Sequence, residues 1–227
     1  ETRNDTTLRV GDELIVFGTG YPNGVQYMHV GDTKANKIPG SETYSSTVFA
    51  VCGKKMVLVK GNAVHVFDTV SGRLAMIPES EIFLYNPGGG IHRPNHLIAD
   101  GNLVATINAV SKVTDRTILK VIDVSGDQPQ VIPIKNAGYV DSDLTCVAID
   151  AKNGVVAASS SQKQSLYMAK VARLANQHTE NVSDHRGVAN RQIFIDDDSI
   201  VYVDRDQKLR RLTPGEPPVA LTDEPLG

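Results

Sequence analysis

Seven polar residues in three short segments are the part of this sequence best suited to chemistry. They are His92, Arg93, Asn95, Asp141, Asp143, His185 and Arg186. The two arginines offer planar guanidinium groups, which bind carboxylates through two parallel hydrogen bonds. A histidine beside a carboxylate suits proton transfer or metal binding. These residue types therefore fit an anionic ligand, acid–base chemistry or a metal ion.

Each of the three segments leads into the same pattern of strands. In the stretch from Ile91 to Asn108, a polar lead-in is followed by a short apolar strand, a tight turn at Asp100-Gly101 and a second apolar strand. Four other copies of this pattern surround it, and their turns fall roughly 40 to 50 residues apart. A period of this length indicates a repeat architecture.

Two weaker strands follow each copy, so the repeating unit is a meander of four strands. Such a meander exposes two apolar faces and must stack on its neighbours until a ring closes. The sequence therefore predicts an all-β fold, a β-propeller of about five four-stranded blades in a single domain 1–227. The repeats are expected at approximately 6–40, 46–77, 95–134, 143–182 and 190–222. The segment Leu166 to Leu174 fits a strand or a helix by its periodicity, and the repeat assigns it as a strand.

In a propeller, the segments that lead into the innermost strands converge on one mouth of the central channel. The seven polar residues are then expected around a rim or pocket about 10 to 15 Å across. Three interpretations compete for this site. The polar groups could satisfy only the loop backbone and one another, they could bind a peptide, glycan or partner protein, or they could catalyse a reaction.

The catalytic interpretation would make the protein a glycan-active hydrolase or lyase that uses the His/Asp/Arg cluster. One feature opposes it: the lead-ins of the third to fifth repeats contain no glutamate. We therefore predict a recognition or scaffold protein with no catalytic residue, no metal site and no cofactor, and with a protein, peptide or carbohydrate ligand at the mouth.

Several other motifs have structural explanations. The glycine-rich segment Gly18 to Gly24 has no helix after it and is interpreted as a turn rather than a phosphate loop. The run Asp196-Asp197-Asp198 lacks the spaced oxygen ligands of a calcium loop, and Asp204-Arg205-Asp206 is predicted to be a solvated turn. Cys52 and Cys146 fall in innermost strands of non-adjacent repeats, which predicts two buried free thiols.

Composition excludes several function classes. With 41% hydrophobic and 22% charged residues, the chain has the balance of a globular protein. A net charge of −3 gives no basic footprint for nucleic acid, and no apolar run reaches the about 18 residues of a membrane helix. No signal peptide precedes Glu1, and two Asn-x-Ser/Thr triplets begin at Asn4 and Asn181, so we expect a soluble processed or shortened chain, in a secreted or periplasmic location.

The last repeat resembles a known family. The run Lys208 to Gly215, KLRRLTPG, and the following Pro217 to Thr222 resemble TolB-like propeller repeats, which also occur in the propeller domains of prolyl-oligopeptidase-type peptidases. The turns that start at Asp68 and Asp123 are similar to quinoprotein-type repeats, but the tryptophan usual in those blades and in WD40 repeats is absent. No Gly-x-Ser-x-Gly motif accompanies the resemblance, so a peptidase would need a further domain. The sequence also leaves open a larger ring of six to eight blades that further sequence would complete.

Overall fold

The structure is a computed structural model that describes residues 7–18, 24–41, 49–60, 63–77, 97–107, 119–136, 144–160, 165–170, 177–183, 188–204 and 206–226. The described residues form twenty β-strands and no α-helix. Each set of four consecutive strands is called a blade below, and the blades are numbered in chain order.

The bounds of the strands are as follows. Blade 1 contains β1 (Thr7–Val10), β2 (Leu14–Gly18), β3 (Val25–His29) and β4 (Asn36–Lys37). Blade 2 contains β5 (Phe49–Cys52), β6 (Lys55–Lys60), β7 (Ala63–Asp68) and β8 (Leu74–Ile77). Blade 3 contains β9 (Leu97–Asp100), β10 (Leu103–Ile107), β11 (Leu119–Asp123) and β12 (Gln130–Asn136). Blade 4 contains β13 (Leu144–Asp150), β14 (Val155–Ser160), β15 (Ser165–Lys170) and β16 (Gln177–Ser183). Blade 5 contains β17 (Val188–Asp196), β18 (Ser199–Asp204), β19 (Leu209–Leu212) and β20 (Val219–Ala220).

Every blade is an antiparallel meander in which neighbouring strands follow chain order. Tight turns fix the register, as in blades 2 and 3, where Gly53 and Gly101 begin two-residue turns with φ of 56° and 51°. A positive φ at this position suits the twist of a hairpin, and glycine adopts it without steric cost. Segment 165–170 is a strand, as the repeat predicted.

The blades pack face to face. Leu14 and Val16 of blade 1 share a core with Met56, Leu58 and Phe67 of blade 2. Further shared cores join blade 2 to blade 3 and blade 4 to blade 5. The innermost strands touch in chain order, β1 with β5, β5 with β9, β9 with β13 and β13 with β17. This arrangement is a β-propeller, and the predicted fold class is confirmed.

One pairing departs from the expected pattern of separate blades. The outer strands of blades 3 and 4 pair in parallel, with Ile134 opposite Gln177 and Asn136 opposite Thr179, and so merge the two blades into one eight-stranded sheet. These two outer strands have seven residues each, whereas β4 and β20 have two. A long outer strand exposes a row of backbone N–H and C=O groups, and pairing two such edges satisfies them.

Candidate functional site at the lead-in end

The seven predicted site residues all lie outside the described part of the chain. They fall in segments 78–96, 137–143 and 184–187, between described strands. The pocket that they are expected to form therefore stays a prediction. The strands that follow these segments, however, are described.

The three strands that follow the predicted site segments are neighbours. β9 begins at Leu97, β13 at Leu144 and β17 at Val188, and β13 contacts both of the other two. At the far end of β9 and β13, the Asp100 carboxylate accepts a hydrogen bond of 2.6 Å from the backbone N–H of Ala151. Because adjacent strand ends are joined there, the beginnings of these strands also adjoin at the opposite end. We call the end where the innermost strands begin the lead-in end, and the opposite end the turn face.

Buried polar side chains are concentrated at the lead-in end. Of the six buried polar or charged residues in the described part, only Ser199 lies at the turn face, and the others are Ser41, Thr106, Lys120, Ser159 and Asp204. A buried polar group destabilises a fold unless it has a partner, so such groups are rare in purely structural cores. The lead-in end therefore differs chemically from the apolar body of the blades.

In blade 3, a lysine and a threonine lie side by side at the lead-in end, next to the first residue of β9. Thr106 is opposite Lys120 on one side and opposite Leu97, the first residue after His96, on the other. Thr106 is fully buried and Lys120 is 7% exposed. Within the described residues, the Thr106 hydroxyl has no hydrogen-bond partner. A buried lysine next to a buried threonine is unusual in the core of a blade and marks this point of the lead-in end as polar.

In blade 5, a buried ion pair lies at the same end. Asp204 is opposite Val188, the first residue of β17, and its carboxylate accepts a hydrogen bond from Arg210 Nε. The backbone N–H groups of Asp206 and Lys208 also donate to it, each at 2.9 Å. Burial alone would raise the pKa of Asp204, but the hydrogen bond from Arg210 and the two backbone donors outweigh it and lower the pKa. The prediction that residues 204–206 form a solvated turn is thus wrong for Asp204, which is 5% exposed.

Two features of the sequence point to these residues, although the motifs considered above did not include them. Lys120 and Thr106 are polar residues within largely apolar strands, next to the buried Val121 and Ala105 respectively, which makes them exceptions to the pattern. Asp204 ends a strand in the same way as Asp68 and Asp123, which suggests a capped turn. Arg210, six residues later on β19, supplies the opposite charge.

The turn face is held together by hydrogen bonds and ion pairs between blades. Lys55 Nζ of blade 2 donates to the backbone carbonyls of Val124 and Gly126 in blade 3, at 2.7 and 2.8 Å. Lys54 Nζ lies 3.4 Å from Glu13 Oε2 of blade 1. These contacts tie the turns of adjacent blades to each other, which makes the turn face a structural element of the ring.

The carboxylates of the turn face largely cap the turns. Asp68 Oδ1 accepts hydrogen bonds from the N–H groups of Val70 and Ser71, and Asp123 Oδ1 accepts one from Ser125, at distances of 2.8 to 3.0 Å. The hydrogen bond from Ser71 is the main cause of the lowered pKa of Asp68. This geometry explains why an aspartate begins both turns. A shallow groove between these turns, lined by Lys55, Asp68, Arg73 and Asp127 among others, is open to solvent on the turn face.

The described residues contain no group of three or more histidine, cysteine or acidic side chains placed to hold a metal ion. None of them forms a helix with the length and apolar character that a membrane crossing requires. Cys52 is a buried free thiol, as predicted, and burial, with a smaller contribution from Asp100, raises its pKa to about 12. Cys146 belongs to β13, but its side chain lies outside the described part.

No protein-family model and no curated protein sequence matches this chain. The TolB-like resemblance of the last repeat is therefore not confirmed. Solved structures do match, and three of them share 12 to 15% sequence identity with the chain.

The first is PorZ of Porphyromonas gingivalis, an essential bacterial surface component of the type IX secretion system. It matches with a TM-score of 0.61 and 14% identity, over 96% of this chain and 28% of PorZ. Hsv2 of Kluyveromyces marxianus matches with a TM-score of 0.58 and 15% identity, over 93% of this chain and 66% of Hsv2. YCF48, solved with a bound D1 peptide, matches with a TM-score of 0.54 and 12% identity, over 94% of this chain and 65% of YCF48. The chain thus spans just under two thirds of the length of Hsv2 and YCF48 and much less of PorZ. All three are β-propeller proteins, and at these identities the likeness establishes one property, that this chain has the β-propeller fold.

Proposed function

We propose that this protein is a recognition propeller that binds a protein or peptide segment at the lead-in end. The observation that carries the proposal is the adjacency of β9, β13 and β17, whose first residues directly follow the segments rich in histidine, arginine, asparagine and aspartate. A rigid ring that presents several loops at one end is suited to binding, because the loops can vary without loss of the scaffold.

The chemistry of the ligand follows from the cations at this end. Arg93 and Arg186 belong to the segments that lead into β9 and β17. Guanidinium groups bind carboxylates through paired hydrogen bonds, so these two arginines favour a negatively charged ligand. We therefore infer an acidic peptide segment as the ligand.

A likeness in fold supports a peptide ligand. YCF48 has the same fold and was solved with a D1 peptide bound. A protein of this fold can thus hold a peptide, which supports the same class of ligand for this chain.

The proposal is tested with a display library of random twelve-residue peptides selected on the purified protein. Selected peptides are expected to be enriched in aspartate and glutamate, and the strongest are then measured by fluorescence polarisation. Replacing both lead-in arginines, Arg93→Gln with Arg186→Gln, is expected to weaken binding about 100-fold or more, since a hydrogen bond from each charged group contributes about 1.5–3 kcal/mol.

The matched control is Arg73→Gln on the turn face. Arg73 is exposed, and its guanidinium lies 3.9 Å from the carboxylate of Asp127, a distance typical of a weak surface ion pair. This variant is expected to bind the peptides like the parent. If binding is lost in Arg73→Gln and kept in the lead-in variant, the ligand site lies on the turn face and the proposal is wrong. A library that yields no binding peptide also contradicts it.

A further inference from the structure

The second strands of the five blades differ in how completely they are covered. In blade 2, the consecutive residues Met56, Val57 and Leu58 are all fully buried, so both faces of the blade are covered. The same holds in blades 3 and 4, where Val104 and Ala105, and Val156 and Ala157, have no exposed surface. Each of these blades has a neighbour on both sides.

Blades 1 and 5 are covered on one face only. In β18, Ile200 and Tyr202 are buried against blade 4, whereas Val201 and Val203, which alternate with them, are partly exposed. In β2, Leu14 and Val16 are buried against blade 2, whereas Ile15 is partly exposed. The uncovered faces are therefore the outward faces of the first and last blades.

Both outward faces carry exposed apolar side chains, with an ion pair, Arg211 with Asp196, on blade 5. On blade 5, the register places Phe194, Val201, Arg211 and Val219 in one row across the four strands, and Phe194 and Val219 are 56% and 59% exposed. Leu221, which follows β20, is 47% exposed. We call this surface the blade 5 end face.

The corresponding surface of blade 1 has the same character. Val10 is opposite Ile15, and Ile15 is opposite Met28, so these three residues form a row across β1, β2 and β3. Val10 is 67% exposed. This row is the blade 1 end face. Contiguous apolar surface of this kind is uncommon on a sheet that faces only water and marks an interaction surface.

We propose that the two end faces pack against further four-stranded blades of the same kind, so that the five blades are an arc of a larger propeller ring. The rows on the end faces repeat the pattern of the interior interfaces, where a strand places alternate apolar residues against the next blade. The missing partner of each face is therefore shaped like a blade. Continuity with the established interfaces argues for the same partner at both ends.

The lengths of the similar propellers support further blades as the partners of the two end faces. The chain aligns over 93% and 94% of its own residues with Hsv2 and YCF48, yet it covers only 66% and 65% of those chains. About a third of each of those chains has no counterpart here. If blades 1 and 5 instead closed on each other, Val201 would be as buried as Val57, which faces the next blade in blade 2, and Ile15 would be as buried as Met56, which faces the preceding blade.

The first experiment compares Val201→Asp with Val57→Asp in the 227-residue chain. Val57→Asp is expected to abolish cooperative unfolding, because it places a carboxylate in a fully buried interface. Val201→Asp is expected to stay folded, with an unfolding midpoint within about 5 °C of the parent. The parent is expected to bind the dye ANS at its end faces, and Val201→Asp is expected to bind less of it. If Val201→Asp is as disruptive as Val57→Asp, the ring is already closed and the proposal is wrong.

A second experiment identifies the occupant. A copy of residues 41–77, which includes all of blade 2, is joined after residue 224 to supply a sixth blade. The extended chain is expected to be a monomer by light scattering, with an unfolding midpoint raised by about 5 °C or more. The proposal is wrong if the 227-residue chain is a dimer and the added blade neither makes it monomeric nor raises the midpoint. In that case a second copy of the chain, rather than further blades, covers the end faces. Neither result depends on the peptide ligand, so the two proposals fail separately.

Discussion

The bridge that Lys55 makes between blades 2 and 3 gives a direct test of how the ring is held together. Its ammonium donates two hydrogen bonds to backbone carbonyls, to Val124 at 2.7 Å and to Gly126 at 2.8 Å. Lys55→Met keeps the aliphatic part of the side chain and removes both bonds. The carbonyl of Gly126 is exposed and can bind water instead, whereas the bond to Val124 is partly buried and its loss is only partly compensated.

The expected magnitude follows from this difference. A hydrogen bond from a charged donor contributes about 1.5–3 kcal/mol, and one of the two is largely replaced by water, so Lys55→Met should lower the free energy of unfolding by about 1.5–3 kcal/mol. For a chain of this size, that loss corresponds to about 3–10 °C in Tm. The measurement is urea unfolding followed by far-ultraviolet circular dichroism, with thermal unfolding as a second probe.

The adjacent lysine provides the control. Lys54 Nζ contacts only the carboxylate of Glu13 across the boundary between blades 1 and 2, at 3.4 Å, and both side chains are 54% exposed. Such a surface pair contributes about 0–1 kcal/mol and is screened by salt. Lys54→Met should therefore have little effect. Equal losses in the two variants would refute the view that the carbonyl bridge, rather than surface charge, joins the turns.

Three further predictions concern buried groups. Asp204→Asn should destabilise the protein at neutral pH. Because the folded-state pKa of Asp204 is lowered, the difference between variant and parent in the free energy of unfolding, measured with urea, should shrink as pH falls below about 4. A difference that is constant with pH would contradict this. Gly24→Ala should lower the free energy of unfolding by about 2 kcal/mol or more, because Gly24 has φ of +76° and an added Cβ would lie 2.8 Å from the carbonyl carbon of Ser41. The control is Gly40→Ala, which has φ of +74° and open space around it, so it should add only backbone strain. Equal losses of stability in the two variants would exclude the steric contribution. The Cys52 thiol, with a pKa of about 12, should react with a thiol reagent at pH 8 only in unfolded protein, and rapid labelling of the native chain would show that the interface opens.

The fold was predictable because each local pattern agreed with the repeat. Alternation of apolar residues fixed the strands, and Asp68 and Asp123 marked equivalent turns because an aspartate can cap the N–H groups that follow it. The repeat also decided the ambiguous segment that begins at Leu166 in favour of a strand. Periodicity over a whole unit therefore outweighed a weak local signal.

Contacts between particular residues of different strands or different blades could not be predicted from the repeat. The parallel pairing of β12 with β16 requires two long outer edges to meet, which no pattern within one repeat encodes. The burial of Asp204 depends on Arg210, six residues away on the next strand. The predicted lead-in residues stay a prediction, because their segments lie outside the described residues.

The two ends of the ring divide structural and binding roles in a way that follows from the meander. The turn face contains the short turns of the blades. The described ones carry twelve carboxylates and four cationic side chains in ranges 11–13, 30–35, 53–54, 68–73, 100–102, 123–129, 150–154, 196–198 and 213–218, with Lys55 and Lys170 at adjoining strand ends. Several of these carboxylates cap turns or join blades, as Asp68 and Asp100 do. An acidic turn face therefore follows from hairpin chemistry and needs no ligand to explain it. At the other end, the Thr106 hydroxyl is buried and has no hydrogen-bond partner among the described residues, and hairpin capping does not account for it. Together with the arginines of the adjoining segments, this buried hydroxyl leads us to expect the ligand at the lead-in end.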